Sequence, residues 1–293
     1  MKLALIFNKQ YQWTTGVYFE RACTALGISY DHWWLRDVAR IPAAYELYVR
    51  IDHGDDYTVD LPHRLRPAVF YAIDTHLPHS WWKIRRMASR YDLVFCCQRT
   101  AAERLWGAEW LPVACDGALH GPTGGSLVWD VAFVGTDGGV PRKFYLQALR
   151  ERYPNSFIGT AEHTRLAGIY SRACVGFNYS IANDVNMRVF EILAANTLLV
   201  TNALESDDLT ALGLKDRHHL ICYRSPKELF ALIDDFLAHP EERHSIAQAG
   251  CGVVRERHTY AHRLHQLLAC VSRRLGVSVL HTTPHEAISC ASS

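Results

Sequence analysis

The chain has 293 residues, enough for one large domain or two of ordinary size. Hydrophobic residues make up 49% of it and charged residues 21%, which is typical of a globular protein with a substantial core and excludes a disordered chain. A formal net charge of +1 argues against nucleic acid as a partner, and no apolar run reaches the length of a transmembrane helix.

Strand-like and helix-like segments alternate through the first half of the chain. Apolar runs typical of strands lie at 3–7, 28–34, 46–51, 67–73 and 93–97, and helical patterns lie at 18–26, 81–89 and 100–105. Gly27 suits the left-handed residue that closes the first of these helices. The alternation predicts a parallel sheet with helices on both faces.

A second alternating series follows a turn-rich segment at 116–125, which is the best candidate for a linker. Strands are predicted at 128–134, 156–158, 174–178, 198–200 and 219–223, and helices at 141–152, 164–172, from 187, and at 225–237, 241–256 and 260–275. The remainder lacks periodicity and is expected to fray. We therefore predict domains at 1–116 and 117–276 and a flexible tail at 277–293.

The segment 183–202 combines a polar loop, an amphipathic helix and a buried strand. Asn183 and Asn186 are suitable N-cap residues, so the helix is expected to begin near Met187. Such a helix start presents unpaired N–H groups that suit a phosphate, and Arg188 would add a forked cation. Periodicity alone favours a simpler interpretation, in which Arg188 and Glu191 form a surface pair on a core helix.

Polar side chains also follow two predicted strands of the first half. Asp74 and His76 come after the strand at 67–73, and Asp52 and His53 come after the strand at 46–51. The carboxyl ends of parallel strands are where open α/β sheets bind ligands. His76 could orient an acceptor or act as a base, with Asp74 fixing its tautomer. Asp52 and His53 compete for this role, and either pair could simply form a turn.

The nine cysteines include no CxxC pair, and several of them lie in apolar segments. This pattern indicates buried thiols in a reducing environment and argues against both a disulfide framework and a zinc site. We therefore expect a cytoplasmic protein.

Four segments of the second half resemble the CgeB-type (spore-maturation-protein-like) branch of the GT-B glycosyltransferases. They are VAFVGT at 131–136 followed by Arg142, VGFN at 175–178, NMRVFE at 186–191 and HTYAHR at 258–263. Their order and spacing match the family over about residues 128–270. The first half is less similar and matches at DTH (74–76) and YDLVF (91–95).

The resemblance implies an α/β fold with two Rossmann-like domains of GT-B type that face each other across a cleft, and a C-terminal helix able to cross back to the first domain. It implies a glycosyltransferase that moves a sugar from a nucleotide-diphosphate donor to an acceptor hydroxyl. No metal or other cofactor is expected, and the nucleotide sugar would bind as a co-substrate in the C-terminal domain. The acceptor stays open between a glycan, a lipid-linked sugar, a protein and a small molecule.

The resemblance also implies roles for individual residues. Glu191 would bond the ribose hydroxyls, and Arg188 would hold the diphosphate together with the backbone after Asn186. Gly135 and Thr136 would let the chain approach the phosphates.

Arg142 would add a second cation to this site. Many retaining GT-B enzymes carry a glutamate eight positions before the ribose-binding glutamate, where this chain has Asn183. The usual contact to the hydroxyls of the donor sugar is therefore altered, and the stereochemical outcome stays open.

Two other classes of function compete with this one. A dinucleotide-dependent oxidoreductase needs G-x-G-x-x-G after a strand, and the glycine-rich turn at 135–139 lacks that spacing. A catalytically silent module that binds a nucleotide or a sugar is the stronger alternative, because Asn183 replaces an acid and the first half is short.

Overall fold

A computed structural model describes residues 1–11, 13–52 and 57–278, which form two compact units. Unit 1 contains the described residues of 1–113 together with the chain from Tyr260, and unit 2 contains Ala114–Thr259. His53, named above as a competing site residue, lies outside the described residues, as does all but the first part of the predicted tail.

Each unit is built on a parallel sheet. The strands of unit 1 are β1 (Lys2–Ile6), β2 (Ser29–Trp33), β3 (Leu47–Ile51), β4 (Ala68–Ala72), β5 (Leu93–Cys96) and β6 (Glu109–Trp110). Those of unit 2 are β7 (Trp129–Val134), β8 (Ser156–Gly159), β9 (Ala173–Asn178), β10 (Leu198–Asn202) and β11 (Ile221–Tyr223). The predicted α/β class with two Rossmann-like parallel sheets is confirmed.

Helices connect most of these strands. In chain order they are α1 (Thr15–Ala25), α2 (Pro78–Ala88), α3 (Arg99–Arg104), α4 (Arg142–Arg152), α5 (Leu166–Tyr170), α6 (Met187–Ala194), α7 (Asp208–Ala211), α8 (Pro226–Ala238), α9 (Pro240–Arg257) and α10 (Tyr260–Leu275). Short 3-10 helices lie at Leu35–Arg40 and His163–Arg165. Among the residues described, none of the helices combines the length and the apolar character needed to cross a membrane.

Helix α10 packs within unit 1. The ring of Tyr260 stacks on that of Tyr18, with centroids 4.8 Å apart and planes at 4°. Arg263 is buried, and its Nε donates to the carbonyl oxygen of Pro112 at 2.8 Å. The predicted division at 116 and 276 assigns this helix to the second half, whereas these contacts place it in unit 1.

The strand order creates one crevice in each sheet. It is β2-β1-β3-β4-β5-β6 in unit 1 and β11-β10-β9-β7-β8 in unit 2. The chain leaves β1 toward one edge of the first sheet and returns on its other side at β3, and it does the same around β7 and β9 in the second sheet. Connections that diverge from two neighbouring strands leave an open crevice at the carboxyl ends of those strands, where α/β proteins bind ligands.

The ends of α6 and α8 follow the sequence signals. Helix α6 begins at Met187 with Asn186 as its N-cap, as predicted, and Asn196 beyond its end has a φ of +59° in the left-handed region. At the start of α8 the hydroxyl of Ser225 accepts a hydrogen bond from the backbone N–H of Glu228 at 3.2 Å. The predicted start of α6 is confirmed, because helix starts depend on residues adjacent in sequence.

The predicted helix at 164–172 is shorter than expected. It consists of a 3-10 turn and the short helix α5, which ends at Tyr170. The chain leaves helical geometry here because the carbonyl oxygen of Arg172 accepts hydrogen bonds from the backbone N–H groups of Val128 and Trp129, at 2.8 and 3.0 Å. Sheet pairing therefore overrides the helical pattern.

Helix α9 packs on α6 through a glycine, which gives a test of the fold. A Cβ added at Gly250 would overlap the carbonyl oxygen of His219 and come within 2.8 Å of Cδ2 of Leu193, whereas nothing lies within 4 Å of a Cβ at Gly252. Gly250→Ala is expected to destabilise the protein by about 1–3 kcal/mol, despite the better helix propensity of alanine.

Gly252→Ala, in the same helix, is the matched control and is expected to raise stability by about 0.5–1 kcal/mol. Urea unfolding followed by circular dichroism measures both. Equal effects of the two substitutions would contradict the close packing of α9 on α6.

Candidate functional site

The candidate site lies at the carboxyl edge of the unit 2 sheet, where β7 and β9 end side by side. The loop after β7 leads to α4, and the loop after β9 leads to the first turn of α6. The two loops run in opposite directions along the sheet, and the crevice described above lies between them. Four of the residues that the resemblance implied, Gly135, Arg142, Asn186 and Arg188, lie around this point.

The guanidinium group of Arg188 bridges the ends of the two strands. Its Nε donates to the carbonyl oxygen of Val134 at 3.0 Å, and its Nη1 donates to Oδ1 of Asn178 at 3.2 Å. The group lies over the ring of Phe133 at 4.5 Å from the centroid. Two hydrogen bonds and a cation–π contact hold the charge in one position.

The glycines of the loop after β7 make room for two arginines. Gly135 has a φ of +145°, and a Cβ there would lie 2.5 Å from Nη2 of Arg188. Gly138 has a φ of +61°, and a Cβ there would overlap the guanidinium group of Arg142. The resemblance implies that Gly135 lets the chain approach phosphates, and the structure adds that it makes room for the guanidinium group of Arg188. Thr136 is exposed beside it.

Arg142 brings a second cation to the same aromatic ring. Its Nε donates to the carbonyl oxygen of Asp137 at 2.9 Å, and its guanidinium carbon lies 5.6 Å from the centroid of Phe133. Burial and the nearby charge of Arg188 lower the pKa of Arg142. In the described part of the chain no carboxylate forms a salt bridge with either guanidinium group, although the charge of Asp137 acts in the opposite direction on the pKa of Arg142. An anionic ligand would relieve the repulsion between the two arginines.

Asn178 is a site residue that the sequence analysis did not select. Its side chain is fully buried at the end of β9, where Oδ1 accepts from Arg188 and from Nδ2 of Asn186 at 3.3 Å. Its Nδ2 donates to Oγ1 of Thr201 at 3.0 Å. The signal that could have identified it is a lone amide at the carboxyl end of an apolar strand.

Asn183 and Asn186, the two predicted N-cap residues, differ in role. Asn186 caps α6 by position, and its side chain bonds to Asn178 instead of closing the first turn. Asn183 has a φ of +55°, and its Oδ1 accepts a hydrogen bond from the backbone N–H of Glu205 at 3.0 Å. The amide oxygen of Asn183 is therefore already engaged in holding the loop.

Glu191 lies on the second turn of α6 and is buried, with 7% of its surface exposed. Burial raises the pKa of this carboxyl group to about 7, with the positive charge of Arg188 acting in the opposite direction. The neighbouring Nε2 of His120 lies 3.9 Å from its Oε1. A carboxylate kept in such an environment is costly to stability, and costs of this kind are typical of functional sites.

A second polar cluster follows β3 and β4 in unit 1. Asp52 is buried at the end of β3, where Oδ2 accepts from the hydroxyl of Tyr57 at 2.9 Å and from the backbone N–H groups of Ile73 and Asp74 at 3.0 and 3.2 Å. Asp52 thus shapes the turn that presents His76.

His76 is exposed, and its Nδ1 faces the side-chain amide of Gln98. Nε2 of Gln98 lies 3.1 Å from Nδ1, while Oε1 of Gln98 accepts from the hydroxyl of Thr75 and from Sγ of Cys97 at 2.9 Å. The amide N–H therefore donates to Nδ1, which leaves the proton of the neutral imidazole on Nε2. In this tautomer the outer nitrogen is a hydrogen-bond donor, which suits an orienting residue better than a base.

The residues described include no group of three histidine, cysteine or acidic side chains that could hold a metal ion. The eight described cysteines are free, and burial raises the pKa of the Cys23, Cys96 and Cys222 thiols to about 12. These three thiols are packing groups and not nucleophiles.

Two Rossmann-like parallel sheets in one chain are the architecture of the GT-B fold, and comparison with solved structures shows that fold. Anabaena HepE, solved with UDP and glucose, superposes with a TM-score of 0.70 at 12% identity over 93% of this chain and 100% of that chain. Sucrose-phosphate synthase from Thermosynechococcus elongatus superposes with a TM-score of 0.65 at 12% identity, over 95% of this chain and 100% of that chain. The β-glucosyltransferase of T4 phage, solved with UDP-glucose, superposes with a TM-score of 0.60 at 12% identity, over 95% of this chain and 100% of that chain.

The family assignment rests on sequence. The family described as "Glycosyl transferase-like" matches residues 100–269, more than half of the chain. This chain therefore belongs to the glycosyl transferase-like family, and the prediction of a glycosyltransferase is confirmed at that level. A search of curated proteins found no match.

The raised pKa of Glu191 predicts a pH-dependent effect on stability. The folded protein holds this proton up to a pH of about 7, whereas the unfolded chain releases it near 4.5, so the stabilising contribution is complete at low pH and is lost as the pH rises through 7. Glu191→Gln cannot ionise, and it is expected to be more stable than the wild type at pH 8 by roughly 1–3 kcal/mol, with little difference near pH 4.5.

Urea unfolding at both pH values measures this effect, with the exposed Glu162→Gln as a control in the same unit. A difference between Glu191→Gln and wild type that does not change with pH would contradict the buried position of the carboxyl group.

Proposed function

We propose that this protein transfers a sugar from a UDP-sugar to an acceptor hydroxyl and that unit 2 binds the donor. The observation that carries the proposal is the pair of guanidinium groups of Arg142 and Arg188 on the ring of Phe133, at the crevice between β7 and β9. Uridine as the base is supported by HepE and the T4 phage enzyme, whose structures contain UDP or UDP-glucose.

The arginine pair would act on the leaving group. Cleavage of the bond between the sugar and the diphosphate develops negative charge on the diphosphate, and fixed cations stabilise that charge without reorganisation. The first N–H groups of α6, beside Asn186, would add donors at the same position. The metal-independent reaction predicted from the sequence is retained in the proposal, since two protein cations would neutralise the charge.

Glu191 would accept hydrogen bonds from the two ribose hydroxyls, which requires the ionised carboxylate. We also propose that the protein belongs to the CgeB-type branch of the glycosyltransferases. Glu191 ends the segment NMRVFE, which is the most specific of the motifs that resemble CgeB-type enzymes. Gly135 and Thr136 would border the diphosphate. The cytoplasmic location stays a prediction from the cysteine content.

On the acceptor side, His76 of unit 1 would orient the acceptor hydroxyl through its Nε2–H. Gln98 supports this role because its amide donates to Nδ1. Asp74 would stay an auxiliary residue, since Asp52 holds its backbone N–H. The acceptor class is left open among glycans, lipid-linked sugars, proteins and small molecules.

A silent nucleotide- or sugar-binding module is the alternative, and one observation favours it. The amide oxygen of Asn183, which stands where many retaining enzymes have a glutamate, is engaged by the backbone N–H of Glu205. Release of UDP from UDP-glucose by the wild-type protein, with or without an acceptor, would exclude the alternative.

A thermal-shift screen with UDP-, GDP-, dTDP- and CMP-sugars at pH 8 tests donor binding. UDP-sugars are expected to raise the melting temperature most, because ligand bound only to the folded state adds its binding free energy to stability. Arg188→Gln is expected to weaken UDP-glucose binding by roughly tenfold or more, since it removes a charged donor.

The control is Arg150→Gln on α4, an exposed arginine that contacts only the carbonyl oxygen of Ile158 at 3.2 Å among the described residues. A structure of the T4 phage enzyme contains UDP and Mn²⁺, so the screen is run with EDTA and with Mn²⁺. An absence of stabilisation by every nucleotide sugar in both conditions would refute the proposed donor site. Stabilisation only with Mn²⁺ would refute metal independence.

Substitutions at His76 distinguish an orienting residue from a base. Glutamine places an N–H near the position of Nε2 but cannot take up a proton, whereas leucine provides neither property. His76→Gln is therefore expected to keep at least about tenfold more activity than His76→Leu, because one hydrogen bond to the acceptor is retained.

UDP release from UDP-glucose, measured with a panel of sugar glycosides as acceptors, is the readout. Equal and severe losses in both variants would show that His76 removes a proton and would contradict the tautomer imposed by Gln98.

A further inference from the structure

We propose that His120 is a positioning residue for Glu191, whose carboxylate it keeps in the ionised form that binds ribose. The inference rests on the proposed function, since it concerns how the donor site holds its nucleotide. His120 lies in the turn-rich segment that the sequence pattern identifies as a linker, and it was not among the predicted site residues. Its side chain is fully buried in unit 2.

The turn that contains His120 is held by Asp116. The backbone N–H of His120 donates to the carbonyl oxygen of Asp116 at 2.9 Å. Oδ1 of Asp116 accepts from the backbone N–H groups of Ala118 and Leu119 at 3.0 and 2.9 Å. These three hydrogen bonds hold the backbone of the turn from which the side chain of His120 projects.

One contact sets the tautomer of the imidazole. The backbone N–H of Asp116 donates to Nδ1 of His120 at 3.0 Å, so Nδ1 acts as an acceptor. The neutral ring must then carry its proton on Nε2. In this tautomer the Nε2–H group is the donor of the ring.

That donor faces the functional carboxylate. Nε2 of His120 lies 3.9 Å from Oε1 of Glu191, one small side-chain adjustment from a hydrogen bond. Both side chains are almost completely buried, at 0% and 9% exposure, so water competes little for either group. A donor at this position favours the carboxylate over the carboxylic acid.

Several other titratable groups of the described residues lie around the pair. On α6 the charge of Arg188 favours the ionised carboxylate, and on α5 the hydroxyl of Tyr170 is close enough to interact with Glu191. The ring of His163 meets that of His120 edge-on, with centroids 5.3 Å apart at 88°. Asp116 lies on the far side of His120, at Nδ1. Among these groups, Nε2 of His120 has its position fixed by the structure at 3.9 Å from Oε1.

The donor on His120 matters for binding because burial brings the pKa of Glu191 to about 7. At neutral pH a small change in the surroundings of this carboxyl group then alters the fraction that is ionised. Only the carboxylate accepts hydrogen bonds from both ribose hydroxyls. Loss of the His120 donor would therefore weaken nucleotide binding near neutral pH and leave binding at high pH nearly unchanged.

Two variants of His120 test the contacts of its two ring nitrogens separately. Asparagine places an acceptor near the position of Nδ1 and keeps the contact to Asp116, but has no donor that reaches Glu191. Glutamine places an N–H near the position of Nε2 and loses the contact to Asp116. The Kd for UDP is measured from pH 6 to pH 9 by calorimetry on the full chain, together with the ¹³C chemical shift of the labelled Glu191 carboxyl group, assigned with Glu191→Gln.

For wild type, UDP affinity is expected to fall as the pH drops through about 7. His120→Asn is expected to raise the midpoint by about one pH unit, which makes binding roughly fivefold weaker at pH 7 and unchanged at pH 9. His120→Gln is expected to keep the midpoint of wild type. The ¹³C midpoint is expected to move with the binding midpoint in each variant.

A midpoint that is unchanged in His120→Asn, or equal shifts in both variants, would overturn the proposal and leave His120 a packing residue of the turn. Failure of the proposed function looks different. In that case wild type binds no UDP at any pH, and the ¹³C midpoints alone decide whether His120 controls the ionisation of Glu191.

Discussion

The placement of one guanidinium group governs the carboxyl edge of the sheet in unit 2. Arg188 bonds to the carbonyl oxygen that ends β7 and to the amide that ends β9, so it ties together the two strands from which the chain diverges. The glycine conformation at 135, the buried amide of Asn178 and the first turn of α6 are all arranged around this group. A positive charge fixed at the point where a parallel sheet opens prepares the unit for an anion before any ligand arrives.

The charges of this unit are arranged against stability. Arg142 and Arg188 share one aromatic ring and repel each other, and Glu191 is buried where its ionisation is costly. A fold selected only for stability would replace these groups with apolar ones. Their presence together is best explained by a ligand that carries negative charge at one end and hydroxyl groups at the other, as a nucleoside diphosphate does.

The sequence predicts the parts of the structure that depend on neighbouring residues. The alternation of strands and helices and the start of α6 at Met187 follow from local periodicity and capping. Gly135, Arg142, Asn186 and Arg188 were selected from two segments that resemble a known family, at 131–142 and 186–191. The sequence does not show which partners the amide of Asn178 meets, because these are tertiary contacts.

The orientation of side chains is also not predictable from the sequence. The tautomer of His76 depends on which way the amide of Gln98 points, which Thr75 and Cys97 decide. The helical pattern at 164–172 gives way to sheet pairing by Arg172, and α10 packs within unit 1. These outcomes come from residues far apart in sequence, where a single chain without homologues offers no signal.

The turn that begins at Asp116 has a consequence for engineering. Unit 2 starts at Ala114, so the first residues of the unit already reach the proposed donor site, through His120 and its neighbour Glu191. A chimera that exchanges unit 2 among relatives would have to join the chains ahead of this turn. A junction placed within the glycine-rich stretch, which looks like a spacer, would separate a histidine from the carboxylate that it faces.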